Sequence, residues 1–275
     1  MTMSQPGMSA FTSRSSRVVA ARKLLRRRHR DHQRRFLVEG PQAVREALKY
    51  DGLVTELFVA PTAAQRYGDL VAAASAAGVR VSTVDDGAAA ALSDTVAPQG
   101  IVAVSNYLRE PEVGAGRLVV VLDGISDPGN AGTIVRTADA AGADVVVFPD
   151  NTVDPYNGKC VRSAAGSLFH VPIVRGGDSS EHVARLKDAG MTVLAADAHA
   201  KRDLDAIIDD GVLRSPVAWL FGSEAHGLAP ELTREADLAV KVPIYGGAES
   251  LNLATAAAVC VYASARELRK GEPPT

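Results

Sequence analysis

The sequence contains three short runs that are apolar at nearly every position: LVVVL at 118–122, DVVVF at 144–148 and VAWLF at 217–221. A strand with one solvated face alternates apolar and polar residues, whereas a strand covered on both faces is apolar throughout. Segments of helical composition lie between these runs, for example at 132–141 and 180–188. Alternating strands and helices are typical of an α/β fold. The second half of the chain is therefore predicted to form a parallel sheet covered on both faces.

Strands and helices also alternate through the first hundred residues, which predicts a second, smaller α/β domain. Its expected strands are 36–38, 54–59, 79–83 and 100–105, and its expected helices are 14–30, 41–49, 63–77 and 86–92. The larger domain adds expected strands at 170–174, 192–196 and 238–243, and expected helices at 157–164, 230–234 and 251–268. Small polar residues predict a disordered tail, and a stretch with Pro and Gly predicts a linker. The expected division is a tail at 1–13, a basic domain at 14–105, a linker at 106–116 and a second domain at 117–275.

Charge is distributed very unevenly along the chain. Ten Lys or Arg residues and one acid, Asp31, lie between Arg14 and Arg35, so this segment carries +9 and the remainder −11, against a net charge of −2. A basic stripe on an otherwise acidic protein is typical of a nucleic-acid-binding surface. The alternative is a solvated helix face, but this many like charges repel one another without an anionic partner. The residues predicted to bind the nucleic acid are Arg22, Lys23, Arg26, Arg27, Arg28, Arg30, Arg34 and Arg35.

Composition predicts a cytoplasmic protein without a membrane segment. No apolar run is long enough to span a bilayer, and the N-terminus lacks the pattern of a secretory signal. The two cysteines, Cys160 and Cys260, are far apart and have small or apolar neighbours, which favours reduced thiols packed in the core over a disulfide or a nucleophile. The six histidines form no metal-binding spacing, so no metal is predicted.

Ligands of open α/β sheets bind at the carboxyl ends of the strands. The loops that follow Leu122, Phe221 and Ile244 are therefore the expected place for chemistry. The first of these loops leads through Asn130 into a helix that carries Arg136 in its second turn. Free amides at a helix N-terminus, together with a guanidinium, favour an anion site.

The second and third loops are also rich in glycine and polar residues. The second, FGSEAHGLAPE, has the glycine spacing of a phosphate loop, but Leu228 and Ala229 replace the required Lys and Ser/Thr. The third, VPIYGGAESLNLATAAA, has a Gly-Gly pair at 246–247, which allows unusual backbone conformations and close approach of a ligand. Ser250 and Asn252 then lie where a helix needs its N-cap. Taken singly, each loop is compatible with an ordinary strand–loop–helix unit.

The segments NAGTIVRTADAAG, LFGSEAHGL and VPIYGGAESLNLATAAAV resemble, in order and spacing, the three motifs of the SpoU (TrmH-like) RNA ribose 2′-O-methyltransferases. The resemblance covers residues 117–270, and KLLRRRHRDHQRRFLVEGPQAVREAL resembles the ribosomal-protein-like substrate-binding domain of many members. It implies a SPOUT fold, in which the C-terminal segment forms a deep trefoil knot that no periodicity predicts. It also implies S-adenosylmethionine as cofactor and a homodimer whose site is completed across the interface.

The resemblance also implies roles for individual residues. The catalytic set that matches the motifs is Asn130, Arg136, Glu224, Ser250 and Asn252, and the cofactor-binding set is Gly222, Val242, Ile244 and Leu251. Methyl transfer to a 2′-hydroxyl requires the hydroxyl proton to leave, yet a guanidinium is always protonated. The hypothesis is that Arg136 orients RNA phosphate and stabilises the developing alkoxide. The other catalytic residues are expected to hold the loops and Arg136, with capping and turn roles as an equally weighted alternative.

The function predicted from these features is S-adenosylmethionine-dependent 2′-O-methylation of structured RNA. Ribosomal RNA of the 23S type is favoured because a ribosomal-protein-like module suits structured loops. The alternatives are a transfer RNA 2′-O-methyltransferase and a non-catalytic RNA-binding or ribosome assembly factor. A nucleotide-dependent Rossmann enzyme is disfavoured because the GxGxxG fingerprint is absent.

Overall fold

We describe the protein from a computed structural model that defines residues 10–111 and 116–270. Residues 1–9 of the predicted tail, 112–115 of the predicted linker and 271–275 lie outside the described residues. The chain divides into two compact units. The N-terminal unit runs to Tyr107 and includes Tyr156–Gly158, and the C-terminal unit comprises Leu108–Pro155 and Lys159 onward.

The N-terminal unit is an α/β domain, as the alternation of elements predicts. Its helices are α1 (Ser16–Arg22), α2 (Arg27–Gln33), α3 (Pro41–Ala47), α4 (Pro61–Arg66), α5 (Gly68–Ala76) and α6 (Asp86–Ala91). Its strands are β1 (Arg35–Glu39), β2 (Val54–Val59), β3 (Arg80–Thr83) and β4 (Ile101–Asn106). They form a sheet in the order β1–β4–β2–β3, with β4 antiparallel to both neighbours and β2 parallel to β3.

The basic segment is not the single helix predicted for 14–30. α1 passes into a 3₁₀ turn at Lys23–Leu25, and the backbone of Arg26 is extended before α2 begins. The side chain of Arg30 is buried, and its Nη1 donates hydrogen bonds of 3.0 Å each to the carbonyl oxygens of Leu24 and Leu25. Carbonyls at a helix end lack intrahelical donors. The buried guanidinium of Arg30 supplies hydrogen bonds to two such carbonyls and so stabilises the break between the helices.

Two further expectations for the N-terminal unit are wrong. Phe11, placed in the disordered tail, is described and forms a β-bridge with Val84. Its amide donates to Thr83 O and its carbonyl accepts from Asp85 N, both at 2.9 Å. The helix predicted at 63–77 is split at Tyr67 into α4 and α5.

The C-terminal unit carries the predicted parallel sheet. Its helices are α7 (Pro128–Ala140), α8 (Gly158–Ser163, which begins at the unit boundary), α9 (Ser179–Asp188), α10 (Leu204–Asp209), α11 (Pro230–Glu235) and α12 (Leu253–Leu268). Its strands are β5 (Leu118–Leu122), β6 (Val145–Phe148), β7 (Ile173–Arg175), β8 (Thr192–Ala196), β9 (Arg202–Asp203), β10 (Val217–Phe221) and β11 (Leu238–Lys241). The sheet order is β7–β6–β5–β10–β8–β11–β9, and all neighbouring pairs are parallel.

Every residue of β5, β6 and β10 is buried, which confirms that the apolar runs mark strands covered on both faces. Trp219 of β10 donates its indole N–H to Ser264 Oγ of α12 at 2.9 Å. Ser264 Oγ in turn donates to the carbonyl of Cys260 at 3.0 Å. A buried polar group without a partner costs about 1–3 kcal/mol, so this pair fixes α12 on the sheet in one register.

Several boundaries differ from the sequence-based expectation. α7 begins at Pro128 and not at 132, because Asp127 is its N-cap and proline suits the first helical position. β7 is Ile173–Arg175 and not 170–174, since a 3₁₀ turn occupies Ser167–Phe169. β9 and α10 were not expected at all.

Both cysteines are buried in the C-terminal unit. Burial raises the pKa of Cys260 to about 12 and, with the nearby Asp154 as a smaller cause, raises that of Cys160 well above its usual range. The thiols are therefore protonated at neutral pH and pack as small apolar groups, as the sequence predicts.

Within residues 10–111 and 116–270, no helix has the length and apolarity that crossing a bilayer would require. The same residues contain no group of three or more His, Cys, Asp or Glu side chains arranged to hold a metal ion.

Candidate active site

A cleft of about 920 Å³ opens beyond β8, β10 and β11, at the carboxyl ends of these neighbouring strands. The loops that follow the three strands form its walls, together with the first residues of α12. Its lining includes all four predicted cofactor-binding residues and three of the predicted catalytic residues: Gly222, Val242, Ile244, Leu251, Glu224, Ser250 and Asn252. Sequence motifs far apart in the chain therefore meet at one place.

The loop after β10 turns back on itself immediately. Ser223 and Gly227 exchange backbone hydrogen bonds of 3.0 and 2.9 Å. A Cβ at Gly222 would lie 2.2 Å from the carbonyl carbon of Gly227, which no real contact allows. Glycine at 222 is thus required for the turn that presents Glu224.

Glu224 connects this loop to the start of α7. Its Oε1 accepts hydrogen bonds from Asn130 Nδ2 at 3.0 Å and from the amide of Asp127 at 3.3 Å. Its Oε2 accepts from the amide and the hydroxyl of Ser126 at 3.3 and 3.2 Å. Burial alone would raise the pKa of Glu224, but these hydrogen bonds outweigh it and hold the pKa below its ordinary value. The carboxylate is therefore ionised at neutral pH and occupied as an acceptor.

Asn130 continues the connection to the third loop. Its Oδ1 accepts a hydrogen bond from Asn252 Nδ2 at 3.2 Å. Asn252 is the N-cap of α12, because its Oδ1 accepts from the amides of Ala254 at 2.9 Å and Thr255 at 3.3 Å. The predicted cap is thus confirmed. We call Glu224, Asn130 and Asn252 the polar node.

A second carboxylate fixes the N-terminus of α7. Asp127 Oδ1 accepts from the amide of Gly129 at 2.5 Å and from Lys159 Nζ at 2.9 Å. The hydrogen bond from Lys159 is the largest cause that lowers the pKa of Asp127. This lysine, at the start of α8, therefore helps to hold the helix that carries Asn130.

Arg136 lies on α7 but outside the cleft and the polar node. Six residues separate it from Asn130, so the two side chains project about 120° apart around the helix. Arg136 is exposed and, within the described parts of the chain, makes no hydrogen bond or ion pair. The expectation that the other catalytic residues hold Arg136 is wrong, because none of them bonds to it; Asn130, Glu224 and Asn252 bind one another instead.

The loop at 244–250 is exposed at every position. Neither Gly246 nor Gly247 has a positive φ, and a Cβ at either would meet nothing within 4 Å. The pair therefore does not use the unusual backbone conformations that glycine allows, and the close approach of a ligand to it stays a prediction. Ser250 lines the cleft from the end of this loop.

The basic segment of the N-terminal unit is mostly exposed, as expected for a nucleic-acid surface. Arg30 is the exception: only 3% of it is exposed, because it binds the carbonyls at the helix break. The prediction that Arg30 contacts RNA is therefore wrong. The remaining seven predicted residues are exposed: Arg22, Lys23, Arg26, Arg27, Arg28, Arg34 and Arg35.

Sequence reasoning missed the wall that follows β8. Asp197 and His199 line the cleft, and Asp197 Oδ1 accepts from the amide of His199 at 2.9 Å. The signal was present, since Asp197 directly follows an apolar strand of the same parallel sheet. The position of this strand, β8, between β10 and β11 could not be deduced from the chain order.

Comparison with known proteins gives matches over nearly the whole chain. Residues 117–262 match the model of the SpoU rRNA Methylase family, and residues 15–103 match that of the MRM3-like substrate binding domain. The 23S rRNA (guanosine(2553)-2′-O)-methyltransferase RlmP of Bacillus subtilis is 36% identical over 91% of this chain and 96% of its own length. The 23S rRNA (guanosine-2′-O-)-methyltransferase RlmB of Ralstonia nicotianae is 32% identical over 84% of this chain and 95% of its own length.

A solved structure of similar fold contains the cofactor implied by the motifs. The AdoMet-bound rRNA methyltransferase from Sinorhizobium meliloti superposes with a TM-score of 0.78 at 30% identity, over 97% of this chain and 99% of the other. The match at 117–262 covers the segments that carry all three sequence motifs. The chain belongs to the SpoU rRNA methylase family.

Proposed function

We propose that this protein transfers the methyl group of S-adenosylmethionine to a ribose 2′-hydroxyl of 23S ribosomal RNA. One observation carries the proposal: the polar node joins three strand-end loops beside a cleft, in a chain that aligns along 96% of an rRNA 2′-O-methyltransferase. The enzyme class, the cofactor and the ribosomal substrate follow from that family. The residue roles below are our assignments.

The residues of the cleft suit S-adenosylmethionine. Its volume, about 920 Å³, is that of a small-molecule site. Leu228, Val242 and Leu251 offer apolar surface for an adenine ring. The lining also contains side chains of both charges, among them Asp197, Glu249, Arg234 and Lys241, which suits a ligand that carries both a cationic and an anionic group. When bound, this cofactor supplies a methyl group activated by a sulfonium charge. Main-chain groups around Gly222 and at 242–244 would hold it there.

The polar node fixes the positions of the three loops relative to one another. Glu224 and Asn130 bridge the loop after β10 to α7, and Asn252 joins both to α12. A displacement of about 1 Å between reacting groups costs a large factor in rate. We therefore assign these residues to positioning, and Ser250, at the cleft wall, to contact with the reacting nucleotide.

Arg136 acts on the RNA and not as a base. Its guanidinium stays protonated, and its donors are available because it is exposed and makes no bond to the described residues. It orients a phosphate of the substrate and stabilises the alkoxide that develops at the 2′-oxygen. The hydroxyl proton leaves to a phosphate oxygen or to water.

A homodimer would bring Arg136 to a cleft. Arg136 is absent from the lining of its own cleft, and α12 exposes Val259 and Tyr262 on one face, 39% and 51% accessible. Residues three apart on a helix are neighbours, so these two side chains offer an apolar contact for a second copy. Mixing Arg136→Ala with Asn252→Ala protein tests this, because mixed dimers regain one intact site. Failure of mixed samples to regain activity, with dimers present in both, would overturn the arrangement.

We also propose that the C-terminal segment forms a trefoil knot. β11 lies between β8 and β9, yet α12, which follows it, packs on β10, β5 and α7. Such a return path supports threading of the C-terminal segment past the loop after β10. Pulling the chain by both ends measures this, because a tightened knot retains residues and shortens the final contour length. Full extension would contradict it.

RNA engagement is assigned to the N-terminal unit. Val18, Ala21 and Leu24 pack into its core, which leaves the basic side chains of the same segment at the surface. Such contacts release counterions, so RNA binding should fall steeply with salt.

Mapping ribose methylation in RNA from cells with and without the protein tests the function. We expect one 2′-O-methyl group to disappear from 23S rRNA and to return with the intact protein but not with Arg136→Ala. A loss confined to transfer RNA would favour the tRNA alternative. Absence of any S-adenosylmethionine binding by calorimetry would favour a non-catalytic assembly factor.

A further inference from the structure

Tyr245 is the most exposed aromatic side chain in the described parts of the chain, at 87% accessibility. It lies in the loop between β11 and α12. Its hydroxyl donates a hydrogen bond of 2.6 Å to Asp205 Oδ2 at the start of α10. An exposed tyrosine normally samples several rotamers, whereas the hydroxyl of this one is held by Asp205.

The hydrogen bond holds the ring without burying it. The bond to Asp205 is the largest of the causes that raise the pKa of Tyr245, so the phenol remains a donor throughout the physiological range. An anchored ring has less conformational entropy to lose when something binds to it. The side chain is therefore a prepared apolar surface that faces solvent.

The ring stands at the rim of the cleft and not in it. Ile244, its preceding residue, lines the cleft, as do Glu249 and Ser250 further along the same loop, but Tyr245 does not. Tyr245 is 87% exposed, so the space around the ring is open. A group that contacts the ring must therefore come from outside the protein, beside the place where the substrate ribose enters.

We infer that Tyr245 is a stacking platform for an unpaired nucleobase of the RNA, next to the nucleotide that is methylated. The inference rests on the proposed function and adds to it the part of the substrate that this rim contacts. Aromatic rings bind single-stranded RNA by stacking on bases, whatever the base, because every base has a π-face. The carboxylates of Asp205 and Glu249 would repel a phosphate, whereas a base is uncharged. The contact therefore orients the target nucleotide without reading its sequence.

Substitutions at this position separate stacking from other roles. Tyr245→Phe removes the tether and keeps the aromatic face, Tyr245→Trp enlarges that face, and Tyr245→Leu keeps apolar area without a π-system. The measurements are the Kd for an rRNA fragment, the Kd for S-adenosylmethionine, and the fluorescence of 2-aminopurine placed beside the target nucleotide. Because the side chain is exposed, all variants should keep the wild-type Tm.

We expect Tyr245→Leu to weaken RNA binding about 5- to 150-fold, the range that loss of one stacked base gives. Tyr245→Trp should bind as tightly as wild type, and Tyr245→Phe should fall between Trp and Leu. The wild type should quench the fluorescence of 2-aminopurine. This quenching should be absent with Tyr245→Leu and present with Tyr245→Trp. The affinity for S-adenosylmethionine should not change in any variant.

Equal RNA affinity of Tyr245→Leu and Tyr245→Trp would overturn the inference. An equal loss of cofactor and RNA binding would also overturn it, because Tyr245 would then serve only to hold the loop that lines the cofactor cleft. Failure of the wild type to bind RNA or cofactor would instead refute the proposed function itself. The two failures are therefore distinguishable in one set of measurements.

Discussion

The candidate active site and the basic segment use polar side chains in opposite ways. In the polar node, each side chain is bound to another part of the protein, so that Glu224 alone accepts four hydrogen bonds. In the basic segment, Arg26 and Arg28 are among seven exposed cations. The node therefore fixes geometry, whereas the segment provides charge to a partner.

One residue within or next to each region behaves like the residues of the other region. Arg136 is exposed beside a bonded site, and Arg30 is buried and bonded within an exposed segment. These two exceptions make the comparison testable, because a substitution at each should behave unlike its sequence neighbours.

The largest effect is expected at Arg136. Arg136→Ala should lower kcat about 10²- to 10³-fold, the usual cost of removing one group that stabilises a developing oxyanion. Thermal stability and calorimetric affinity for S-adenosylmethionine should remain those of the wild type, since the side chain has no partner in the described chain. Arg136→Lys should keep measurable methylation at raised pH. Complete loss in that variant, with normal binding of RNA and cofactor, would count against the electrostatic role.

Substitutions in the basic segment should change the affinity for RNA and the dependence of that affinity on salt concentration. Replacing Arg26, Arg27 and Arg28 together by Ala should weaken RNA binding roughly tenfold or more and reduce the slope of log K against log salt by about two. Cofactor affinity should not change. Arg30→Ala is the matched control: it should lower the free energy of unfolding by about 1–3 kcal/mol, because it leaves the carbonyls of Leu24 and Leu25 without their donor. An unchanged Tm for Arg30→Ala would contradict a structural role for Arg30 that is distinct from the role of its exposed neighbours.

Breaking the node should give an intermediate effect. Asn130→Ala removes the donor to Glu224 and the acceptor for Asn252, so kcat should fall about tenfold through lost alignment. Thr133→Ala is the matched control on the same helix, since its hydroxyl binds only the backbone of Gly129. Steady-state kinetics of the two variants would decide the matter, and equal activities would show that the node has no positioning role.

The smallest effect is expected for Glu224, in the way that the Tm depends on pH under acidic conditions. The pKa of Glu224 is lowered in the folded protein from an ordinary value of 4.5, so its stabilising contribution is complete above that value and is lost as the pH falls through the lower folded pKa. Glu224→Gln cannot ionise. The difference in Tm between wild type and variant should therefore be constant from neutral pH down to about 5 and shrink below 4.5. A difference that grows on acidification would have the wrong sign.

Sequence patterns predicted those features that depend on neighbouring residues. The apolar runs gave β5, β6 and β10, and Asn252 was placed at a helix cap. They could not give the sheet order, which brings Asp197 to the cleft between loops that come later in the chain. Nor could they show that Arg30 is buried among exposed arginines, because its partners are carbonyls released by a helix break that the apolar stripe did not reveal.

Motif membership alone also did not show that Arg136 points away from the polar node. The three motifs identify which residues share a site, but the direction of a side chain depends on its angle around the helix. α7 begins four residues earlier than expected, which places Asn130 in its first turn and turns Arg136 to another face.

Trp219 is the single tryptophan of the chain, and it is fully buried in β10 with its N–H bound to Ser264. Its intrinsic fluorescence therefore reports on the C-terminal unit alone. The ring stacks 6.0 Å from Phe221, which lines the cleft. A titration followed at tryptophan emission should thus register ligand entry into the cleft in the full-length protein, without a label and without interference from the arginine-rich half of the molecule.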